Sequence, residues 1–301
     1  ACRAQALFVA NDFAELEASF ETAGTETDFT RQISMAPLRG GLLNFFDYGP
    51  DSIETNLRRL IQWRREFPES TLVGPLEAEL FSAWAWQARG VGFARDVNPL
   101  QWQLYGFRTE MAKASLDADA VSGRRLSPLW YQAWFDVSID SRDRNELLEK
   151  HAEAQGLYPR YYSLQRGVIR TLLPRWRSGS DSDVLAFIED QVRNSHETER
   201  DEVYARLMWT YADTDGDQTT VYQYLKGDNW DSFRRGFSTL VERNPESDYL
   251  LNVFARIACA AASPDDYRRL RPQLESRLSA TAWTIETTLE KCDQKFPSRS
   301  E

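Results

Sequence analysis

Four prolines, Pro68, Pro99, Pro128 and Pro159, fall 31, 29 and 31 residues apart, and between them the apolar residues recur at helical spacing. A proline lacks the amide hydrogen and its ring clashes with the preceding turn, so it marks a helix boundary far more often than a helix interior. Regular punctuation of this kind divides the middle of the chain into segments long enough for a pair of helices each. The longest helical pattern, Leu72 to Ala94, lies inside the first of them. Its positions Leu76, Leu80, Ala83, Trp84 and Val91 share one stripe, while Trp86 falls on the opposite side with Glu79, Ser82 and Arg89. A helix with large rings on both sides is either sandwiched between neighbours or turns one aromatic face toward a groove. Alternating apolar and polar residues, the mark of a half-buried strand, extend nowhere over a useful length. The chain reads as all-α, with roughly a dozen helices.

A helix pair of about 34 residues with a proline after the second helix is the period of tetratricopeptide arrays. The stretch LWYQAWFDVSIDSRDRNELLEKHAEAQGLYP is a fair copy of such a unit, whereas the interval from Pro68 to Pro128 holds one long pair where two units would be expected. The expected architecture is a tetratricopeptide-like helical-pair solenoid with degenerate repeats. It forms a single domain over residues 1–301, with a polar connector near 213–229 and a helical extension at 280–301. Local signals add detail. Phe13, Leu16 and Phe20 share a face; Thr25 to Gly41 reads as a loop and LLNFFDYG as a short apolar turn. Asp51 with Glu54 has the spacing of a capping box, and Ser180 to Asp183 caps VLAFIEDQV. Ser263, Pro264, Asp265 and Asp266 form a helix start, Pro272 kinks or divides the segment that begins there, and a last helix runs from about Ala280 to Lys295.

Three blocks, AWAWQARGVGFARDV with Trp102 and Phe107, YPRYYSLQRGVIRTLLPRW with the downstream DVLAFI, and WDSFRRGFSTLVERNPESDYLLNVFARIACAA, resemble the bacterial family called domain of unknown function 4034. They occur in that family's order over approximately Phe13 to Trp283. The resemblance implies tetratricopeptide-like packing and leaves the function open. Where the family often shows a Gly pair after its Pro-basic-Trp block, this chain has Trp176, Arg177, Ser178 and Gly179.

A formal charge of -10 and a pI near 5.0 argue against a phosphate-backbone partner, which normally meets a basic stripe. No apolar run approaches the roughly 20 residues of a membrane span. Ala1 before Cys2 suits the end of a lipoprotein signal and leads to the expectation of an exported protein, periplasmic or envelope-associated in preference to cytoplasmic. Cys2, Cys259 and Cys292 fit no zinc spacing. Cys259 reads as a small side chain in a tightly packed helix, with a Cys259–Cys292 bridge as the other reading. His151 and His196 read as surface residues without ligand partners at helical spacing. Asp213, Asp215 and Asp217 echo a calcium loop, but Gln218 replaces its glycine and Tyr224 its bidentate Glu. No nucleophile elbow, phosphate-binding Gly loop or dinucleotide fingerprint occurs. No catalytic residue, metal or cofactor is therefore expected, and pairs such as Glu77 with Glu79 read as ordinary acidic surface.

The aromatic residues, ten Trp, twelve Tyr and sixteen Phe, are the remaining signal. Most must be core. Some have polar neighbours, and Tyr, Trp and Arg are the residues enriched at binding hot spots. The candidate binding residues are Glu79, Trp86 and Arg89 on the central helix, and Tyr161, Tyr162 and Arg166 beyond Pro159. Arg89 over the indole of Trp86 would be held in readiness for a carboxylate. These features lead to the expectation of a non-catalytic interaction scaffold that binds a peptide or partner protein. An inhibitor or immunity-type protein set against a basic toxin is a narrower version. An enzyme acting on cell-envelope polymers is the reading from another class.

Overall fold

The computed structural model describes residues 2–24, 29–49, 51–90, 92–121, 126–137, 143–159, 161–174, 179–214 and 218–297. Among them every regular element is helical, and no helix is long and apolar enough to cross a membrane. The chain clusters into two compact units, Ala1–Thr171 and Leu172–Glu301, where the sequence reads as one array over 1–301.

Unit 1 contains α1 (Cys2–Ala10), α2 (Phe13–Gly24), α3 (Phe29–Tyr48), α4 (Ile53–Glu66), α5 (Val73–Arg89), α6 (Pro99–Ala120), α7 (Pro128–Val137), α8 (Arg144–Leu157) and α9 (Ser163–Leu172), whose last residue crosses the boundary. Helix α5 is the sandwiched case, packing against α3, α4, α6 and α7. Leu76 and Leu80 of its stripe are buried; Val91 lies outside the described residues. The helix is shorter than its pattern because Gly90, at φ 76°, turns the chain into a conformation that favours glycine.

Helix α3 departs from the sequence reading, which has a loop to Gly41 followed by a short turn. Leu42, Phe45 and Phe46 stand at i, i+3 and i+4 and bury against α1, with the Phe46 ring 5.6 Å from that of Phe8. That contact favours helix through Gly40 and Gly41 over their local preference. At the start of α4 the cap is Ser52, whose Oγ accepts from the Thr55 amide, while Asp51 pairs with Arg59 at 2.8 Å. The expected Asp51–Glu54 box is therefore replaced. Asn98 and Gln101 form a reciprocal capping box ahead of α6, with Pro99 in its first turn.

Unit 2 contains α10 (Asp181–Asn194), α11 (Arg200–Thr214), α12 (Gln218–Tyr224), α13 (Asp228–Arg243), α14 (Asp248–Ala260), α15 (Pro264–Leu270) and α16 (Leu289–Lys295). Its core is α14, buried from Leu250 to Cys259, against which Phe237 of α13 stacks on Phe254 at 5.1 Å. Gly236 lets α13 meet the start of α11 at backbone range, since a Cβ there would lie 1.9 Å from the Asp201 carbonyl oxygen. Ser180 caps α10, and Pro272 sits in a short 3-10 turn that ends α15, both as read from the sequence. The expected polar connector contains α12, because Val221, Tyr222 and Leu225 find core positions. The expected helix from Ala280 begins only at Leu289. Before it only Ala280–Ala282 form a short 3-10 turn, and Trp283 donates to Asn252 Oδ1 at 2.9 Å.

A bridge between Cys259 and Cys292 ties α14 to α16. His151, expected at the surface, is buried on α8 against Phe135. Its position on the α8 inner face, one turn before buried Ala154, outweighs its polarity. Asp213 bonds Arg256 and the Trp209 indole instead of standing open to a cation, and Asp215 and Asp217 lie outside the described residues.

Candidate functional site

Four helices of unit 1 bring charged side chains to one place. Arg39 leaves the middle of α3, Glu79 the inner face of α5, Asp136 the end of α7 and Arg170 the last turn of α9. One guanidinium nitrogen of Arg39 bonds both Glu79 Oε1 and Asp136 Oδ2, the latter at 2.7 Å. Asp136 Oδ1 accepts from Arg170 at 3.1 Å. Glu79, 7% exposed, is no part of an acidic surface. Its position follows from α5 being covered on several sides, so the face opposite the apolar stripe is also interior. Burial pushes its carboxyl up to about 7, against the opposing pull of Arg39. Arg39 is held firmly in its charged form: burial disfavours the charge, but Glu79 and Asp136 together outweigh it.

Beside this cluster lies a cavity of about 420 Å³, lined by Arg39, Asn44, Asp47, Gln132, Asp136, Tyr161, Ser163, Arg166 and Arg170 among others. Its volume falls within the range of small-ligand and side-chain pockets. Tyr161 donates its hydroxyl to Gln132 Oε1 at 3.1 Å, and burial pushes that hydroxyl up to about 12, so it stays a neutral donor. Gly167 is what brings α9 close enough: a Cβ there would sit 2.5 Å from the Phe135 Cβ. Arg166 and Arg170, four apart on α9, therefore flank the same opening. Arg170 is bonded to Asp136, whereas Arg166 is exposed and, among the described residues, makes no ion pair.

Of the sequence candidates, Tyr161 and Arg166 thus line the cavity and Glu79 belongs to the ion cluster beside it. Tyr162, half-buried, is not one of the lining residues. Trp86 and Arg89 belong elsewhere in the unit. The Arg89 guanidinium lies 5.0 Å from the Trp86 ring and 5.3 Å from that of Trp102, and it donates to the carbonyls of Gly90 and Gly92. There it holds the turn that ends α5. Reasoning on sequence missed Arg39, Gln132, Asp136 and Arg170. Two had a readable signal: Arg170 repeats Arg166 one turn on, and Asp136 is the lone acid in the apolar helix PLWYQAWFDV.

Among the described residues no group of three His, Cys, Asp or Glu side chains is placed to hold a metal. No protein family, curated protein or solved structure matches the chain.

Proposed function

We propose that this chain is a non-catalytic interaction protein whose unit 1 cavity takes a carboxylate of a peptide or partner protein. The observation behind this reading is the guanidinium of Arg166, which among the described residues makes no ion pair, at the opening of a cavity already lined by Arg39 and Arg170. A planar guanidinium matches a carboxylate in two parallel hydrogen bonds. Asn44, Gln132, Tyr161 and Ser163 supply further polar atoms for a peptide backbone. The chain's charge of -10 does not forbid an acidic ligand. Exposed charges beyond about 10 Å are screened at 0.1 M salt, so the nearest cations dominate.

In the same reading the helical pairs stand as units of a tetratricopeptide-like array, related to the family of the three sequence blocks. The Cys259–Cys292 bridge supports an oxidising compartment, periplasmic or envelope-associated. An enzyme acting on envelope polymers draws support from Glu79, whose raised carboxyl is typical of a general acid. Against it, Glu79 does not line the cavity, and both Asp136 oxygens are engaged by arginines.

The test is calorimetric titration with a short oligoglutamate peptide and its glutamine counterpart. The glutamate peptide is expected to bind and the glutamine peptide not. Arg166→Ala should weaken binding at least tenfold with an unchanged melting temperature, and Arg166→Lys should restore it only in part. Equal binding of the two peptides, or full binding by Arg166→Ala, would overturn the reading.

A further inference from the structure

Five charged side chains line the unit 1 cavity, and three of them satisfy one another. Arg39 and Arg170 share Asp136, at 2.7 and 3.1 Å. What remains is one cation, Arg166, and one anion, Asp47. Among the described residues neither of these side chains makes an ion pair or a hydrogen bond. They line the same space and yet do not bond each other.

The helices account for the separation. Arg39, Leu43 and Asp47 recur at intervals of four, so one face of α3 forms a wall of the cavity. Asp47 stands two turns, about 12 Å, beyond Arg39. On α9 Arg166 is one turn, about 6 Å, from Arg170. Because Arg39 and Arg170 meet at Asp136, the paired charges sit together, and the two unpaired ones are carried away from them along different helices. Burial against the lining pushes the Asp47 carboxyl above its ordinary range, and no cation offsets that push, although three guanidiniums line the same cavity. Asp47 is nonetheless exposed on its other side, as Arg166 is, so a ligand entering from solvent can reach both.

We propose that the carboxylate taken by Arg166 arrives with an ammonium group beside it, which Asp47 takes, supplied by a lysine side chain or by a free chain N-terminus. The inference rests on the carboxylate reading of the cavity and adds a second half to the ligand. A ligand with carboxylates alone would leave Asp47 facing like charge, which costs affinity, whereas one with both groups closes two open pairs at once. The chain's charge of -10 acts in the same direction, since a segment of no net charge meets no long-range repulsion. In an extended peptide, side chains two residues apart lie on one side and about 7 Å from each other. A Glu-x-Lys segment therefore presents both groups to one opening.

Calorimetric titration of the full chain with four C-amidated tripeptides tests this. Acetyl-Glu-Ala-Gln carries the carboxylate alone, acetyl-Glu-Ala-Lys adds a side-chain ammonium, Glu-Ala-Gln with a free N-terminus adds a terminal one, and acetyl-Gln-Ala-Lys carries an ammonium alone. At least one of the two peptides with both groups should bind about fivefold tighter than acetyl-Glu-Ala-Gln, the upper range for a pair that stays partly in water. Which of them gains identifies the source of the ammonium. Asp47→Asn should remove the gain, leave acetyl-Glu-Ala-Gln bound at least as tightly as before, and keep the melting temperature, because the Asp47 side chain holds no other group. Arg166→Ala should weaken all three glutamate peptides. Equal binding of those three, or a gain that survives Asp47→Asn, overturns the inference and leaves the carboxylate reading standing. Acetyl-Gln-Ala-Lys binding as tightly as acetyl-Glu-Ala-Lys overturns both, as does the absence of binding by all four.

Discussion

Both units bury arginine–carboxylate pairs, but they enclose them differently. In unit 1 Arg39 is shared between Glu79 and Asp136, Asp136 is shared with Arg170, and the cluster borders a cavity. In unit 2 Glu202, 7% exposed, takes Arg206 of its own helix and Arg243 of α13, both at 2.6 Å. Arg256, 2% exposed, reaches Asp213 at 2.5 Å. The same chemistry therefore does two things. In unit 2 each pair fixes one helix against another through one deeply buried member, and losing the more exposed partner, Asp213 at 33% or Arg243 at 60%, strands a group with almost no solvent of its own. Beside a cavity, the loss of one partner can be made good by water or by a ligand's charge.

The largest expected effect probes this difference directly. Asp213→Ala strands the Arg256 guanidinium in the unit 2 core and should lower stability by about 3–5 kcal/mol, as expected when a buried pair is broken. Asp136→Ala releases Arg39 and Arg170 toward the cavity and should lower it by only about 1–2 kcal/mol. Urea denaturation of the two variants beside the parent chain measures both. Equal losses would mean that the cavity offers Arg39 no more solvent than the core offers Arg256, and the comparison would fail.

The units differ next in covalent restraint. The Cys259–Cys292 bridge spans 33 residues of unit 2, and closing a loop of that size restricts the unfolded chain by about 3.7 kcal/mol. Cys259→Ala with Cys292→Ala should remove that amount from unit 2. Limited proteolysis should then cut unit 2 faster and leave the rate within unit 1 unchanged. Equal acceleration in both would show that the units do not unfold separately.

The features legible in the sequence were local ones. The all-helical character, the Ser180 cap, the helix start at Pro264 and the break at Pro272 depend on neighbours along the chain, and the structure has each of them, although Ser263 ahead of Pro264 donates to Asp266 and makes no side-chain cap bond. The features that were not legible depend on distant partners. Helix α3 exists because Phe45 and Phe46 meet Phe8, a contact that Gly40, Gly41 and Pro37 locally disfavour. Tyr161 and Arg166 were visible as an aromatic–arginine cluster, but the residues that make a cavity of them, Arg39 and Asp136, lie 97 positions apart. No periodicity connects positions that distant. Glu79 and Trp86 share a stripe by their spacing, and helical geometry does place them on one side. Their surroundings then divide them, since α3 supplies Glu79 with an arginine while Arg89 and Trp102 flank Trp86.

The smallest effect concerns pH, where the two units carry opposite signs. Burial raises Glu79 from 4.5 to about 7 in the folded state, so the folded chain holds that proton more tightly than the unfolded chain. The stabilisation this gives is complete below about 4.5 and is lost as pH rises through about 7. In unit 2, burial alone would raise Asp293, but hydrogen bonds from Arg271 and Tyr267, together with the Arg271 charge, hold it below its usual 3.8. That stabilisation is present above 3.8 and is lost as pH falls through the lowered value. Glu79→Gln keeps the shape of the neutral carboxyl, and Arg39 keeps Asp136 as a partner. Its melting temperature should therefore change less between pH 4.5 and 7 than that of the parent, with the two converging at the acid end. Asp293→Asn should instead flatten only the loss below about pH 4. A Glu79→Gln profile parallel to the parent's would show that the buried carboxyl does not titrate in this window, and that Arg39 holds it ionised as firmly as Arg271 holds Asp293.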